Sequence, residues 1–337
     1  MSAPSGLNLK LYPSPPDARD HIIKASGPLK SKGIADLSSY CTSVKDQGML
    51  GACTAFACVG AMEYLHKRFG GIKSDDILSE RFTYYATRVH VLGWVAEDSG
   101  AYVRDAMKSL VKFGSCLESS CVYNNDYKTP PDSSAYNEAL RYQAVSYARF
   151  EDGSNASDRK VLIENIKASM DSGFPVVCGF VCYSNVLSAV NGVIPPKNGQ
   201  IIGGHAIMLV GYDDNKQWFK FKNSWGMKWG DNGYGYLSYD YYFNGDMFDI
   251  WVIQSAENND VPIGLNVIKP DPPAPITSNK DDVLLVFSKL AENIDKILDK
   301  KTSNATMNEI MLPYIKTKPR IATLINSIKS ILYGLSS

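Results

Sequence analysis

Cys53 stands between a polar, glycine-rich stretch and a run of small and apolar residues, in the sequence VKDQGMLGACTAFACVGAMEY that begins at Val44. The apolar run predicts a helix, so the cysteine would lie at a helix N-terminus, whose partial positive charge favours thiolate over thiol. Thiolate is the nucleophilic form of cysteine, and this position therefore suits attack on a carbonyl carbon. A cysteine needed only for packing would fit better inside the apolar run, where Cys58 lies.

His205 is the histidine best placed to exchange protons with such a nucleophile. It follows Ile-Ile-Gly-Gly and opens the predicted strand HAIMLVGY, so small neighbours leave its imidazole approachable. An imidazole that transfers protons needs a group that fixes its tautomer, and Asn223, 18 residues later, could do this. Trp225 could shield that hydrogen bond from water. The other histidines are interpreted as surface or capping residues: His21, His66 and His90.

Three blocks in this order resemble the papain/cathepsin family of cysteine peptidases: DQGMLGAC, GGHAIMLVGY and KNSWGMKWGDNGYGY. The resemblance covers about residues 36 to 255. Three stretches are more similar to the bacterial and viral branch typified by xylellain than to animal cathepsins: DQGMLGACTA, SGAYVRDAMKSLVKFG and GYDDNKQWFKFKNSWG. His205 and Asn223 follow Cys53 by 152 and 170 residues, so nucleophile, base and orienting amide come in the family's order.

The resemblance implies a role for each residue of the catalytic set. Cys53 would be the thiolate nucleophile, His205 the acid and base, and Asn223 the orienting amide. Gln47, six residues before the cysteine, would stabilise the oxyanion together with the Cys53 backbone N–H. Trp225 would shield the His–Asn hydrogen bond, and Trp229 would lie on the leaving-group side.

The resemblance also implies the residues that contact substrate. Gly203 and Ala206 would flank the pocket for the second residue before the scissile bond, and their small size predicts an apolar preference there. The floor of that pocket would lie near residues 247–249, and Ser99–Gly100 would offer backbone for pairing with an extended substrate. The expected substrate-binding residues are Ser99, Gly100, Gly203, Gly204, Ala206, Trp225 and Trp229.

The chain departs from the family pattern at positions that do not take part in the chemistry. Leu50 stands where the family usually has a disulfide-bonded cysteine, Thr54 replaces the usual aromatic residue, and no long propeptide precedes Cys53. The odd total of seven cysteines, with no secretory signal and no apolar run of membrane-spanning length, favours the cytoplasm or another reducing compartment. We therefore interpret the other six as packing or surface thiols, leaving open a bridge that involves Cys41 or Cys58: Cys41, Cys58, Cys116, Cys121, Cys178 and Cys182.

Net charge and motif content limit the classes of partner and ligand that we expect for this chain. The 337 residues carry a formal net charge of zero, which argues against nucleic acid or an anionic membrane as the main partner. Acidic pairs such as Asp213–Asp214 and Asp231–Asn232 are typical of turns, and neither CxxC nor HExxH occurs, so we expect no metal and no cofactor. Peptides or proteins are the expected substrates.

Periodicity predicts an α+β chain in four parts. Residues 1–35 would be an N-terminal, pro-like regulatory segment, and residues 36–258 a papain-like peptidase domain. The resemblance implies that this domain has a helical left lobe, a β-barrel-like right lobe and a catalytic cleft between them. The sequence predicts a Pro-rich linker over residues 259–280 and a helical module over residues 281–337. The narrow apolar seam of that module would pack on the peptidase or mediate self-association or partner docking.

The catalytic set and the family resemblance together predict a cysteine endopeptidase. The alternatives are an exopeptidase or an amide or acyl transferase on the same triad, and an inactive binding module. The stretch Leu11–Gly27 is the candidate for control of activity, because its prolines favour the extended form of a bound peptide. Charged anchors for it would be Asp17, Arg19 and Asp20. The segment would occupy part of the cleft, or else form a strap on the outside of the domain.

Overall fold

The structure is a computed structural model, and it describes residues 8–24, 31–70, 77–150, 156–254 and 266–268. The chain divides into two compact units, Met1–Pro270 and Asp271–Ser337, and only the first contains described residues. The predicted C-terminal module with its apolar seam lies outside the described residues. So does the predicted linker, except for three residues, Asn266–Ile268, which form a strand.

Helix α1, Cys53–Phe69, is the central helix, and every residue from Cys53 to His66 is buried. Small residues let it lie close to the sheet: at Gly60 an added Cβ would already be 3.8 Å from Met208. The other α-helices are α2 (Glu80–Tyr85), α3 (Val103–Lys112), α4 (Ser133–Ala139), α5 (Ala156–Asp171) and α6 (Tyr239–Phe243). A π-helical turn, Ala86–Val91, continues α2. Among the described residues, no helix combines the length and apolar character needed to cross a membrane.

The strands form one open sheet rather than a closed barrel, so the expected α+β class holds while the barrel-like closure does not. In the order β7-β6-β5-β4-β8-β3-β1-β9, each strand pairs with its neighbours, and β2 pairs with β5 off this path. The strands are β1 (Ile22–Lys24), β2 (Ile34–Asp36), β3 (Ser146–Phe150), β4 (Val176–Tyr183), β5 (Ile201–Asp213), β6 (Trp218–Lys222), β7 (Tyr234–Ser238), β8 (Met247–Gln254) and β9 (Asn266–Ile268). The long strand β5 contacts α1, which places the start of α1 against the sheet.

Two stretches differ from the sequence-based expectation. The run YGYLSYDYY predicts a strand throughout, but only its first half is β7, and Tyr239–Phe243 is the helix α6. The Ser238 hydroxyl accepts a hydrogen bond from the Asp240 N–H, and this N-cap begins the helix. The sequence also predicts a weakly structured segment 1–35, but this segment contributes β1 and the first two residues of β2 to the sheet.

A buried charge cluster ties the residues before α1 to the rest of the fold. Lys45 Nζ lies 2.8 Å from Glu63 Oε1 on α1 and 2.6 Å from Glu80 Oε1 on α2. The Thr42 hydroxyl donates to Glu63 and accepts from the Lys222 ammonium of β6. Burial alone would lower the pKa of Lys45, but the two carboxylates hold it above its usual value. The loop that carries Gln47 is thereby fixed by charges on two helices.

We expect Lys45→Met to lower the free energy of unfolding by about 3–5 kcal/mol, because it leaves two buried carboxylates without their cation. The control is Lys216→Met, which should cost less than about 1 kcal/mol, because the Lys216 side chain is 59% exposed and its Nζ lies 3.9 Å from Asp213 Oδ2. Chemical denaturation measures both. Equal effects of the two substitutions would contradict a stabilising role for the buried cluster.

Candidate active site

Cys53 lies where the first turn of α1 meets β5. It is the first residue of α1 and is 1% exposed. The backbone N–H groups of Ala206 on β5, of Thr54 and of Cys53 itself lie close enough to the sulfur to lower the pKa of the thiol. The sulfur is therefore held beside the residue that directly follows His205.

His205 is fully buried and bonded to Asn223, with 2.8 Å between His205 Nε2 and Asn223 Oδ1. Asn223 Oδ1 also accepts the Ser224 N–H, which identifies this atom as the oxygen and leaves the proton on His205 Nε2. His205 Nδ1, which has no hydrogen-bond partner among the described residues, is then the basic nitrogen. The Trp225 ring stacks on the imidazole at 4.6 Å between ring centroids and covers this pair.

Hydrogen bonds fix both the backbone and the side chain of Gln47. Its backbone N–H donates to Ser224 O, its Oε1 accepts the Ser224 hydroxyl at 2.6 Å, and its carbonyl accepts the Tyr123 hydroxyl at 2.8 Å. One hydrogen of its amide nitrogen goes to Leu50 O at 2.8 Å. The second amide hydrogen is the one that could serve a developing oxyanion near Cys53.

In this arrangement the thiol and the imidazole are both neutral. Burial raises the pKa of Cys53 to about 11, although the N–H groups of Ala206 and Thr54 oppose the rise. Burial lowers the pKa of His205 to about 4, against the opposing effect of the Asn223 hydrogen bond. The sequence predicts a lowered thiol pKa from the helix N-terminus, and here desolvation outweighs that contribution.

The chain's own N-terminal residues lie along the glycines that precede His205. Leu11 N donates to Gly204 O, and Gly204 N donates to Leu9 O, each at 3.2 Å. A Cβ on Gly203 would lie 2.1 Å from Leu9 O, and one on Gly100 would lie 2.4 Å from Lys10 O. Only glycine permits so close an approach of two backbones. Three of the predicted substrate-binding positions are therefore in contact with residues 9–11.

Leu11 fills a pocket beside this backbone pairing. Its side chain is 3% exposed, and a Cβ on Gly179 would come within 2.7 Å of its Cδ2 and 2.6 Å of the Phe248 ring. Three residues later, Ser14 donates through both its N–H and its hydroxyl to Asp249 Oδ2, at 2.9 and 2.6 Å. Burial raises the pKa of Asp249, and these two bonds oppose the rise. The sequence places the pocket floor near Asp249, and here that residue binds the N-terminal segment.

Polar contacts hold the N-terminal segment at both of its ends, and the one at the later end is buried. Asn8 Nδ2 donates to Asp98 Oδ2 at 2.7 Å, and Lys10 Nζ donates to Asp98 O at 2.9 Å. Farther on, Asp20 and Arg104 form an ion pair with Nη2–Oδ2 at 2.7 Å, and both residues are 4% exposed. Of the three predicted charged anchors, only Asp20 is buried against the domain, while Asp17 and Arg19 pair with each other.

The remaining predicted residues support the site from behind. Arg88 Nη1 donates to Ser99 Oγ at 3.2 Å and to Gly100 O at 3.0 Å, which fixes this edge of the groove. Trp229 is 3% exposed and meets Trp225 edge-on at 5.1 Å, so it packs behind the first tryptophan. Sequence reasoning missed Ser224, although it lies in the KNSWG block, and it missed Asp98, which directly precedes Ser99.

Comparison with known proteins agrees with this geometry. The family model described as papain family cysteine protease matches residues 33–247. The chain belongs to the papain family of cysteine proteases. It is therefore a peptide hydrolase of the thiol-protease type, with a papain-like fold.

Individual proteins and a solved structure are also similar to this chain. An uncharacterized peptidase C1-like protein of Acanthamoeba polyphaga mimivirus is 36% identical over 280 residues, which is 74% of this chain and 87% of the viral protein. The structure of xylellain, a cysteine protease from Xylella fastidiosa, superposes with a TM-score of 0.65 at 30% identity and covers 76% of this chain and 98% of xylellain. Cathepsin K of Gallus gallus is 30% identical over 205 residues, 59% of this chain and 56% of that protein.

The burial of His205 makes a measurable prediction about its protonation. Since its folded-state pKa of about 4 lies below the ordinary value of 6.5, the folded protein binds fewer protons than the unfolded chain between these pH values. The stability that the neutral ring contributes is present above pH 6.5 and is lost as the pH falls through 4. Histidine NMR titration of the full chain, with His205→Gln for assignment, should show a midpoint near 4. A midpoint at or above the ordinary value would contradict the buried, neutral ring.

Proposed function

We propose that this papain-family protease is an endopeptidase that works through Cys53, His205 and Asn223, and that residues 8–14 restrain it by occupying the cleft. The observation that carries the catalytic part is the joint position of the thiol at the Ala206 N–H and of the His205–Asn223 pair on the adjoining residue. The observation that carries the second part is the backbone pairing of Leu9 and Leu11 with Gly204.

The reaction proceeds in two halves. The Cys53 sulfur attacks the scissile carbonyl while His205 Nδ1 takes the thiol proton, and the same nitrogen then gives that proton to the leaving amine. The carbonyl oxygen becomes an oxyanion between the Cys53 N–H and the free amide hydrogen of Gln47. Water, activated by His205, next hydrolyses the thioester. Asn223 keeps the imidazole in the tautomer that leaves Nδ1 basic.

The preferred substrate has an apolar residue two positions before the scissile bond. The support for this is Leu11, which lies in an apolar, glycine-lined pocket beside the backbone of Gly204 and next to Gly179. A substrate side chain in the same pocket would bury apolar area at roughly 25 cal/mol per Å². Asp249 at the end of this pocket binds Ser14, so the same carboxylate would meet the far end of a longer substrate side chain.

Residues 8–14 restrain the enzyme by effective concentration, because they are covalently part of the chain that they block. The outside strap is the less favoured alternative: a strap would not explain a leucine that is 3% exposed or the close approach to Gly203 and Gly204. The occupied cleft also keeps thiol and imidazole buried and therefore neutral. Release of the segment hydrates both groups, which favours the thiolate–imidazolium pair.

Substitutions of the catalytic set test the chemistry. Cys53→Ala should abolish hydrolysis of peptides and labelling by thiol-directed epoxides, and His205→Ala should be nearly as damaging. Asn223→Ala should be milder because this residue orients the ring, and Gln47→Ala should lower kcat by about 10²-fold or more. Labelling that persists in Cys53→Ala would move the nucleophile elsewhere, and a Gln47 effect on KM alone would refute the oxyanion assignment.

The products separate endopeptidase from the alternatives. Peptides blocked at both ends should be cut internally by the wild-type chain and left intact by Cys53→Ala. An exopeptidase would leave the blocked peptides intact. An amide or acyl transferase would join the acyl part to an added amine in preference to water. An inactive binding module would bind the peptides without cutting them.

The proposed restraint is tested by changes that keep Asp20, the buried anchor of the N-terminal segment. Removal of residues 1–14 keeps Asp20 and β1, whereas removal of residues 1–27 would delete both. We expect the shorter deletion, and Leu11→Arg in the full chain, to raise kcat/KM on short peptides several-fold. Tyr12→Ala is the matched control, since this neighbouring side chain is 63% exposed. Unchanged or lower activity in a folded deletion variant would contradict the restraint while leaving the peptidase assignment intact.

A further inference from the structure

Cys116 and Cys121 are two free thiols whose backbones one serine holds side by side. Ser79 N–H donates to Cys116 O at 2.9 Å, and the Ser79 hydroxyl donates to Cys121 O at 2.5 Å. A short turn, Glu118–Ser120, reverses the chain between the two cysteines. Their side chains share one buried apolar cluster, where each thiol affects the pKa of the other.

A guanidinium points at one of the two sulfurs. Arg81 Nη1 donates to Cys121 Sγ at 3.0 Å. Arg81 is itself fixed, because its Nε donates to Asp126 O at 2.8 Å and its Nη2 to Thr129 O at 2.9 Å. A cation at this distance stabilises a thiolate, so Cys121 is the sulfur of the pair that is favoured as a thiolate.

The pair differs from the other buried thiols outside the catalytic site. The Cys116 thiol lowers the pKa of Cys121 to about 6 despite burial, with Arg81 contributing in the same direction. Burial, with a smaller contribution from Asp249, raises the pKa of Cys178 and Cys58. Cys121 is 5% exposed and Cys116 is not exposed at all, so a small oxidant reaches Cys121 first. The proposed peptidase chemistry uses neither sulfur.

We propose that Cys116 and Cys121 form a redox-active dithiol, a site at which a small hydroperoxide produces a reversible disulfide. The Cys121 thiolate attacks a peroxide oxygen and breaks the O–O bond, which gives a sulfenic acid and, after protonation of the leaving oxygen, water. The Cys116 sulfur then attacks the Cys121 sulfur, and its proton leaves with the hydroxyl as a second water. In total, two thiols and one hydrogen peroxide give one disulfide and two waters.

The test uses the full chain with Cys53→Ala, which removes the competing nucleophile. The protein is treated with dilute hydrogen peroxide, denatured, alkylated and cleaved after Lys112, Glu118 and Lys128. We expect the fragments that contain Cys116 and Cys121 to be joined, two hydrogens lighter than the reduced pair and unavailable to alkylation. Dithiothreitol should restore both thiols. Cys178 and Cys182, buried on β4, are the internal controls and should remain fully alkylatable.

A second variant examines the order of the steps. With Cys116→Ala added, Cys121 has no resolving thiol, so its sulfenic acid should persist and react with dimedone. In the chain that keeps Cys116, that adduct should be lost. The proposal is overturned if the two thiols stay alkylatable like Cys178, or if Cys121 proceeds to sulfinic acid while Cys116 remains a thiol. Neither result depends on the proposed peptidase mechanism.

Discussion

The contact between the first turn of α1 and Ala206 of β5 is the constraint on which the site depends. It brings a helix N-terminus, with Cys53 as its first residue, against the strand that carries His205. Because α1 is buried from Cys53 to His66, the thiol cannot shift without disturbing the core. The buried pairing of Lys45 with two carboxylates then fixes the loop that presents Gln47. The proposed nucleophile, base and oxyanion donor are therefore positioned by packing on three different elements.

The glycines beside this contact can accommodate two kinds of extended chain, a substrate or the protein's own residues 9–11. Gly100, Gly203 and Gly204 leave room for a backbone that carries its own carbonyls close to the strand edge. A substrate needs that room, and residues 9–11 use it in the structure. The Asp20–Arg104 ion pair lies on the same segment, so in our proposal the blocking residues can leave while the tether stays. Breaking such a buried pair is unfavourable, which favours release without loss of the anchor.

Much of the fold follows from sequence patterns. Helix α1 and strand β4 are apolar runs that the sequence predicts, while β5 begins at Ile201, four residues before the predicted strand that opens at His205. The pairing of His205 with Asn223 is also predictable, since it depends on residue types in a familiar order. The helix α6 is not, because its three tyrosines favour strand and the N-cap at Ser238 decides for a helix.

Other features depend on contacts between residues far apart in the chain. Ser14 and Asp249, or Asp20 and Arg104, meet only after the sheet has formed, and no local pattern marks them as partners. The pKa of Cys53 is a second example. Its helix N-terminus is visible in the sequence, but the opposing desolvation arises from tertiary packing and is larger. An argument from the helix N-terminus alone therefore predicts a lowered pKa for Cys53, whereas the pKa in the structure is raised.

Amide hydrogen exchange at Leu11 tests the central claim, that the chain's own residues occupy its cleft, most directly. The Leu11 N–H donates to Gly204 O, so it should exchange slowly in the free protein. When a thiol-directed epoxide inhibitor fills the cleft and alkylates Cys53, the segment must leave and Leu11 should lose its protection. The Ile23 amide in β1, beyond the Asp20 anchor, should keep the same exchange rate in both states. A Leu11 amide that exchanges freely before labelling, or stays equally protected after it, would contradict the account.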